Sequence, residues 1–391
     1  MRKSVSSIAI HYVDVSIEHD RQAVDLTVGI YMDEDGVCPV FGAIRDAQRA
    51  LVEAETSKAY LPPAGDPDFN SGMRALVFGG DSAALADGRV TSVAAPGGCG
   101  ALRIGAEIAR VASPDAKVWV SDPTWPVHIP LIGSVGLEFE KYRYYDAASH
   151  GVDFDGMVED LKRAKDTDLV LLHGCCHNPC GADLTLEQWG VIAEMAERQG
   201  FLPFIDIAYQ GLGDGIEADA AGLRLLAERL PEMIVAASCS KNMGLYRERT
   251  GIAQFLCRDA GSAEAILSQA KVAARRIYSM PPAHGALLAG RVLADPALEA
   301  AWREELHGMC DRINVLRETL VEKLEGTTGR DFAFIRREKG MFSFLGLTEE
   351  QTRRLREEHS VYMLGSSRIN VAGINARNID YVADAVAKVI A

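Results

Sequence analysis

Lys241 stands just after an apolar run, in the stretch MIVAASCSKNMGLYRER. An ammonium emerging from a buried strand is costly unless something neutralises it or uses it. Four other segments end in residues of distinct chemistry. FLPFIDIAYQG sets Asp206 near the end of a strongly apolar run, with Tyr209 just beyond. An ionised carboxylate there needs a cationic partner, and an Arg or His is the plain structural answer. LLHGCCHNPCG ends on Asn178-Pro179, a turn-forming pair whose amide can equally cap local backbone. In SVAAPGGCGALRIG, Gly97, Gly98 and Gly100 either let backbone N–H groups face an anion at a helix N-terminus or make a tight turn. VSDPTWPVHIPL places Trp125 and His128 after a strand, as core residues or as partners of a flat ligand.

Each feature alone has an ordinary structural explanation. Together they describe one ligand class, a planar pyridine aldehyde with a phosphate tail. A lysine forms the imine, an aspartate pairs with the ring nitrogen, and the phosphate takes a helix N-terminus and an arginine.

The elements that would carry these residues alternate. RVTSVAA, KVWVSD, LEFEKYRYY, LVLLHGCC, FLPFIDIAY, MIVAASCS and TGIAQFLC read as strands. Between them lie helical patterns such as GALRIGAEIARVA, FDGMVEDLKRAK and TLEQWGVIAEMAERQG, the last with Thr185 as N-cap and Gly200 as its stop. Alternation of this kind, with continuously apolar strands, predicts an α/β fold with a mainly parallel sheet covered on both faces. Ligands of such sheets bind at the carboxyl ends of the strands. The C-terminal part differs: a long helix over roughly 296–326, then GMFSFLG, a polar helix, the short strand SSRINVAG and a final helix. It reads as a smaller α+β domain that residues before about 40 join.

With 391 residues, 48% hydrophobic and 25% charged, the chain suits two globular domains. A net charge of −14 offers no phosphate-neutralising stripe for nucleic acid. No apolar run is long enough for a membrane span, and the opening MRKSVSSIAIHYVDVS lacks the apolar core of a secretion signal. The expectation is a cytoplasmic protein whose eight cysteines are reduced. CCHNPC has the wrong spacing for a zinc finger and no second Cys/His pair follows, so no metal site is expected.

In order along the chain, LPPAGDPDF, SDPTWPVHIP, YRYYDAASHGVDFDGM, LLHGCCHNPCGADLT, FIDIAYQGLGDG, SCSKNMGLYRER, YSMPPAHGA, GMFSF and RINVAG resemble the aspartate/aromatic aminotransferases of fold type I. The resemblance runs from about residue 25 to the C-terminus. It implies a large domain with a seven-stranded sheet over residues 39–307, and a small domain over 308–391 to which residues 1–38 contribute an arm. It implies pyridoxal 5'-phosphate as cofactor, held covalently by Lys241, which then shuttles the substrate proton. Asp206 would keep the ring nitrogen protonated, with His128 orienting it. Tyr209 and Asn178 would hydrogen-bond the ring oxygen, and Trp125 would stack on the ring. Gly98, Cys99, Ser238 and Arg249 would surround the phosphate, joined by Tyr60 of the neighbouring subunit in a homodimer. Arg368 would bind the substrate carboxylate. Arg275, from the neighbouring subunit, would meet a distal carboxylate or swing aside for an aromatic ring, and Gly29 and Phe342 would line the entrance. The implied reaction is ping-pong transfer of an amino group between an aromatic or dicarboxylic L-amino acid and a 2-oxo acid such as 2-oxoglutarate.

The chain departs from the family pattern at several positions. Cys99 stands in place of a hydroxyl residue in the phosphate loop, and a thiol is a poor donor. Cys180 replaces a Thr, and Thr27 a Gly. Met280 stands where aspartate-preferring members carry Asn, and Val127 where Asn is common, so an apolar rim favours aromatic substrates. The alternatives are an aspartate-preferring aminotransferase and a related fold type I lyase or decarboxylase. The spacing of the glycine-rich turn argues against a nicotinamide dinucleotide site.

Overall fold

The structure, a computed structural model, describes residues 23–391. The part of the expected N-terminal arm that precedes residue 23 lies outside them.

Seven strands form the central sheet: β1 (Val90–Pro96), β2 (Lys117–Asp122), β3 (Glu138–Arg143), β4 (Leu169–His173), β5 (Leu202–Ile207), β6 (Met233–Ser238) and β7 (Thr250–Leu256). Their order across the sheet is β1-β7-β6-β5-β4-β2-β3. All run parallel except β7, which is antiparallel to both neighbours. β7 therefore begins where the others end, and Arg249, just before it, joins the carboxyl edge. Register puts His173 beside Asp206, Asp206 beside Ala236 and Ala236 beside Ala253, with the Ser238–Gly251 pair two residues further towards that edge.

Alternate residues of the strands feed two apolar layers. Val93, Ala95, Val118, Val120 and Phe204 face helix α1 (Gly97–Ala112); Ala94, Trp119, Val170, Ile205 and Val235 face the opposite layer. Gly105 of α1 crosses the sheet so closely that a Cβ there would meet Phe204 Cζ at 2.7 Å and Ile234 Cγ2 at 2.9 Å. Helix α2 (Leu186–Gln199) opens on the expected capping box: Thr185 Oγ1 accepts from Gln188 N at 3.2 Å, and Thr185 N donates to Gln188 Oε1 at 2.9 Å. It closes on Gly200 in the left-handed region, φ 83°. Two readings ran long. The FDGMVEDLKRAK helix stops at Leu161, and the LEFEKYRYY strand ends at Arg143, with Tyr145–Asp146 turning back in a separate ribbon against Gly151–Val152.

The C-terminal elements surround a third apolar cluster that includes Val24 and Leu26 from the N-terminal side. Val24–Asp25 pairs parallel with Val361–Tyr362, and Phe342–Phe344 pairs antiparallel with Arg368–Asn370. Helix α3 (Pro296–Thr328) ties the two regions together. Its first half gives Trp302, Leu306 and Ile313 to the large core, and its second half gives Leu316, Leu320 and Leu324 to the small one. Among the described residues no helix is long and apolar enough to cross a membrane.

The indole of fully buried Trp302 donates to Asn242 O at 2.6 Å, tethering the backbone next to Lys241 to α3. Trp302→Phe keeps the packing but orphans that buried carbonyl. Its unfolding free energy, read from a urea titration, should fall by about 1–3 kcal/mol. An unchanged midpoint would show that the tether contributes nothing.

Candidate active site

A cavity of about 370 Å³ opens at the carboxyl edge of the sheet. Gly29, Gly98, Cys99, Trp125, Asn178, Asp206, Tyr209, Ser238, Lys241, Arg249, Phe342 and Arg368 all line it. Residues separated by more than 300 positions thus meet in one space because strand ends, the start of α1 and the Arg368 strand converge there.

Asp206 is buried near the end of β5, where His128 Nε2 donates to its Oδ2 at 2.9 Å. Thr124 Oγ1 lies 2.8 Å from His128 Nδ1 and fixes the ring from behind, and the Trp125 ring meets the imidazole edge-on at 5.3 Å. Burial alone would raise the Asp206 carboxyl. The His128 hydrogen bond and the charges around it outweigh burial and hold it below the usual carboxylate range. The neighbouring His173, whose ring nitrogens have no hydrogen-bond partner, is pushed down to about 3 by burial and by His128, and stays neutral.

Lys241 follows the end of β6, and its Nζ lies 4.8 Å from the centre of the Tyr209 ring. Burial pushes its ammonium below the ordinary lysine value; Asp206 pulls it back up, while Arg249 pushes it down again. Burial also raises the Tyr209 hydroxyl, keeping it a neutral donor.

The other end of the cavity suits an anion. Helix α1 starts at Gly97 with no side-chain cap, leaving its first N–H groups open. A Cβ on Gly97 (φ 70°) would lie 2.6 Å from Arg249 Nη2, so glycine is what allows the guanidinium to approach. Ser238 Oγ donates to Ser240 Oγ at 2.9 Å and adds a hydroxyl pair. Burial raises the Cys99 thiol, so it faces this end as a protonated, weak donor.

Arg368 is buried opposite. It donates to Thr27 O at 2.5 Å and weakly to Asn178 Oδ1 at 3.4 Å, and its guanidinium sits 4.4 Å above the Phe342 ring. Its Nε has no partner. A buried arginine at a cavity wall can take up a carboxylate there.

Two expected site residues lie apart from the cavity. Tyr60 is 88% exposed on an extended stretch, and Arg275 is exposed in the last turn of the helix Ala260–Ile277. Arg247 is exposed as well. Leu102, His173, Ala208, Ser240 and Tyr246 line the cavity without having been singled out from the sequence. Ser240 was signalled by the alternation in SCSK, which sets it on the same side as Ser238. Tyr246 was not: its hydroxyl accepts from Tyr31 N at 2.9 Å, a contact made only by the fold. Near CCHNPC, the ligand atoms of Cys175, Cys176 and Asp219 approach within 4.8 Å of one another. Asp219 there accepts from three backbone N–H groups, of Gly211, Gly213 and Asp214; the hydrogen bond between the two thiols and then burial raise Cys176, while against the lowering effect of that same bond burial raises Cys175. The Asp219 carboxylate is thus already engaged by a hydrogen-bonded turn.

The geometry agrees with what this chain is similar to. The sequence model of the family described as aminotransferase class I and II matches residues 21–386. An aromatic-amino-acid aminotransferase of Paracoccus denitrificans is 48% identical over 94% of this chain and 92% of its own length. An aspartate aminotransferase of Escherichia coli is 45% identical over 94% of this chain and 93% of its own. Among solved structures, an aromatic-amino-acid aminotransferase from Burkholderia pseudomallei covalently bound to pyridoxal phosphate superposes with a TM-score of 0.94 at 44% identity, covering 96% of this chain and 94% of that one.

The electrostatics make a signed prediction for the protein without bound ligand. Lys241 should deprotonate below an ordinary lysine, and Asp206→Asn should lower its pKa further, because the carboxylate is what favours the ammonium. Competitive acylation of Lys241 across a pH series measures both values. A rise in the Asp206→Asn protein would contradict the arrangement.

Proposed function

The chain belongs to the family of class I and II aminotransferases, and from that premise we propose that it moves the amino group between an aromatic L-amino acid and a 2-oxo acid such as 2-oxoglutarate. The cofactor is pyridoxal 5'-phosphate and the cycle is ping-pong. One observation carries the reading. A single cavity joins a desolvated lysine, a buried ionised aspartate, a helix N-terminus with an arginine, and a buried arginine that can take up a carboxylate. Those four features match the aldehyde, ring nitrogen and phosphate of the cofactor and the α-carboxylate of the substrate.

The residues divide the work. Lys241 would hold the cofactor covalently and, once freed, its amine would take the proton from the substrate Cα and serve as the proton carrier of the exchange. Its lowered pKa keeps more of the amine free to act as a base. Asp206 holds a proton on the ring nitrogen, and His128 with Thr124 keeps the carboxylate ionised and aimed. Bound pyridoxal phosphate supplies the sink for the electrons of the broken C–H bond and the carrier for the amino group. Trp125 covers the ring, while Tyr209 and Asn178 donate to its oxygen. Gly98, Ser238 and Arg249 take the phosphate, with Cys99 as a weak partner. Arg368 forks onto the substrate carboxylate between Asn178 and Phe342, beside Gly29.

Tyr60 and Arg275 belong to this reading as residues delivered to the neighbouring subunit of a homodimer. Their exposure outside the cavity supports that placement. The division at residues 38 and 307 is part of the proposal; the separate apolar cluster of the C-terminal elements supports a second domain, with the change of core along α3 falling between Ile313 and Leu316. A cytoplasmic location is too, supported by eight unpaired cysteines.

The preference for aromatic substrates rests on Val127, 38% exposed beside Trp125, and on Met280, both apolar where a second carboxylate would need polar company. The expected measurement is a kcat/KM for phenylalanine or tyrosine above that for aspartate, with 2-oxoglutarate as acceptor. Replacing both residues, Val127→Asn with Met280→Asn, should move the ratio towards aspartate by about tenfold or more. A wild-type preference for aspartate would establish the second reading. Continuous ammonia release from an amino acid alone would establish a lyase instead.

A further inference from the structure

Arg317, on helix α3, is the largest fully buried charged side chain, with only 2% of its side chain exposed. Its ion-pair partner is Glu338, at 3.2 Å and equally enclosed. The guanidinium also donates to three carbonyls: Ile335 O at 3.1 Å, Gly340 O at 2.7 Å and Phe342 O at 2.7 Å. The pair is not fully satisfied, since Arg317 Nε and Glu338 Oε1 have no partner. A buried ion pair this incomplete adds little stability over apolar residues of the same size. What it does supply is position, because a rigid fork on two carbonyls two residues apart fixes the backbone between them.

That backbone carries Phe342. Its ring lines the cavity, lies 4.4 Å below the Arg368 guanidinium and meets Tyr209 edge-on at 5.8 Å. The fit is close on every side. A Cβ on Gly29 would meet the ring at 2.9 Å, and one on Gly181 would meet Phe342 O at 2.5 Å. Lys339 N donates to Gly181 O at 2.7 Å, linking the same turn to the Asn178 loop.

We propose that Arg317 and Glu338 are positioning residues for the substrate-carboxylate receptor, holding Phe342 where its ring supports Arg368. The proposal rests on the assignment of Arg368 given above. It predicts that damage to the clamp appears in carboxylate affinity and not in the cofactor end of the cavity, which Arg317 does not touch.

The test titrates the holoenzyme with 3-phenylpropanoate, a carboxylate without an amino group, and measures KM, kcat, cofactor affinity and the cofactor absorption spectrum. Arg317→Lys should weaken 3-phenylpropanoate and raise KM by about tenfold, a smaller effect than the roughly hundredfold that a misplacement of about an ångström can cost at a reacting centre. Cofactor affinity and spectrum should stay unchanged. In a Phe342→Ala background the same substitution should cost little more, because the clamp acts through that ring. Glu338→Gln, which keeps the side-chain size and the carbonyl contacts, should give a smaller loss of the same kind, and it decides the matter if Arg317→Lys does not fold. Wild-type affinity in both clamp variants would overturn the proposal. So would losses that multiply with Phe342→Ala, or a parallel loss of cofactor affinity. Arg368→Met is the separate control: if it binds 3-phenylpropanoate normally, the receptor assignment itself fails.

Discussion

A buried carboxylate and a buried amine facing one cavity set the terms for everything around them. Asp206 and Lys241 each carry a charge that burial opposes, and neither could be kept in an apolar strand end without local compensation. Asp206 is compensated by His128, which is fixed in turn by Thr124. Lys241 is compensated chiefly by the field of Asp206, which burial outweighs. The two groups are therefore driven apart in character, one held ionised and the other pushed towards the free amine. A proton-transfer site needs that division.

The architecture follows from the same requirement. Parallel strands bring their carboxyl ends to one edge, and the single antiparallel strand brings Arg249 to that edge from the other direction. The start of α1 adds uncapped N–H groups, and glycine at position 97 lets the arginine close on them. Cys99 is the weak member of this end, a protonated thiol among stronger donors. Helix α3 couples this edge to the smaller cluster: Trp302 holds the backbone beside Lys241, and Arg317 holds the strand that carries Phe342.

Much of this was legible in the residues. Strand–helix alternation gave the parallel sheet, since uninterrupted apolar runs such as MIVAAS have no exposed face to satisfy. Lys241, Asn178 and Gly98 could be placed because each follows an apolar strand where the chain must turn, and Asp206 because it interrupts the end of one. The capping box at Thr185 and the stop at Gly200 are local signals and were met residue by residue. What stayed hidden depends on contacts distant in the chain. Tyr246 reaches the cavity through Tyr31, 215 positions away, and no local pattern marks it. The antiparallel sense of β7 is invisible in TGIAQFLC, which is as apolar as its parallel neighbours. Arg317 reads as one more charge on a long helix; only packing buries it against Glu338. Tyr60 and Arg275 are exposed and do not line their own chain's cavity, so the residues of that cavity do not mark them.

The central claim is that Lys241 and the cavity around it move an amino group once and then wait for a second substrate. The most direct test adds phenylalanine alone to the purified holoenzyme and follows the cofactor absorption band and the released acid. The account predicts that the band is lost in a single phase, that one equivalent of 2-oxo acid appears per site as a one-to-one half-reaction requires, and that 2-oxoglutarate restores the band. Steady product release without an acceptor, or no change of the band while amino transfer proceeds, would contradict it.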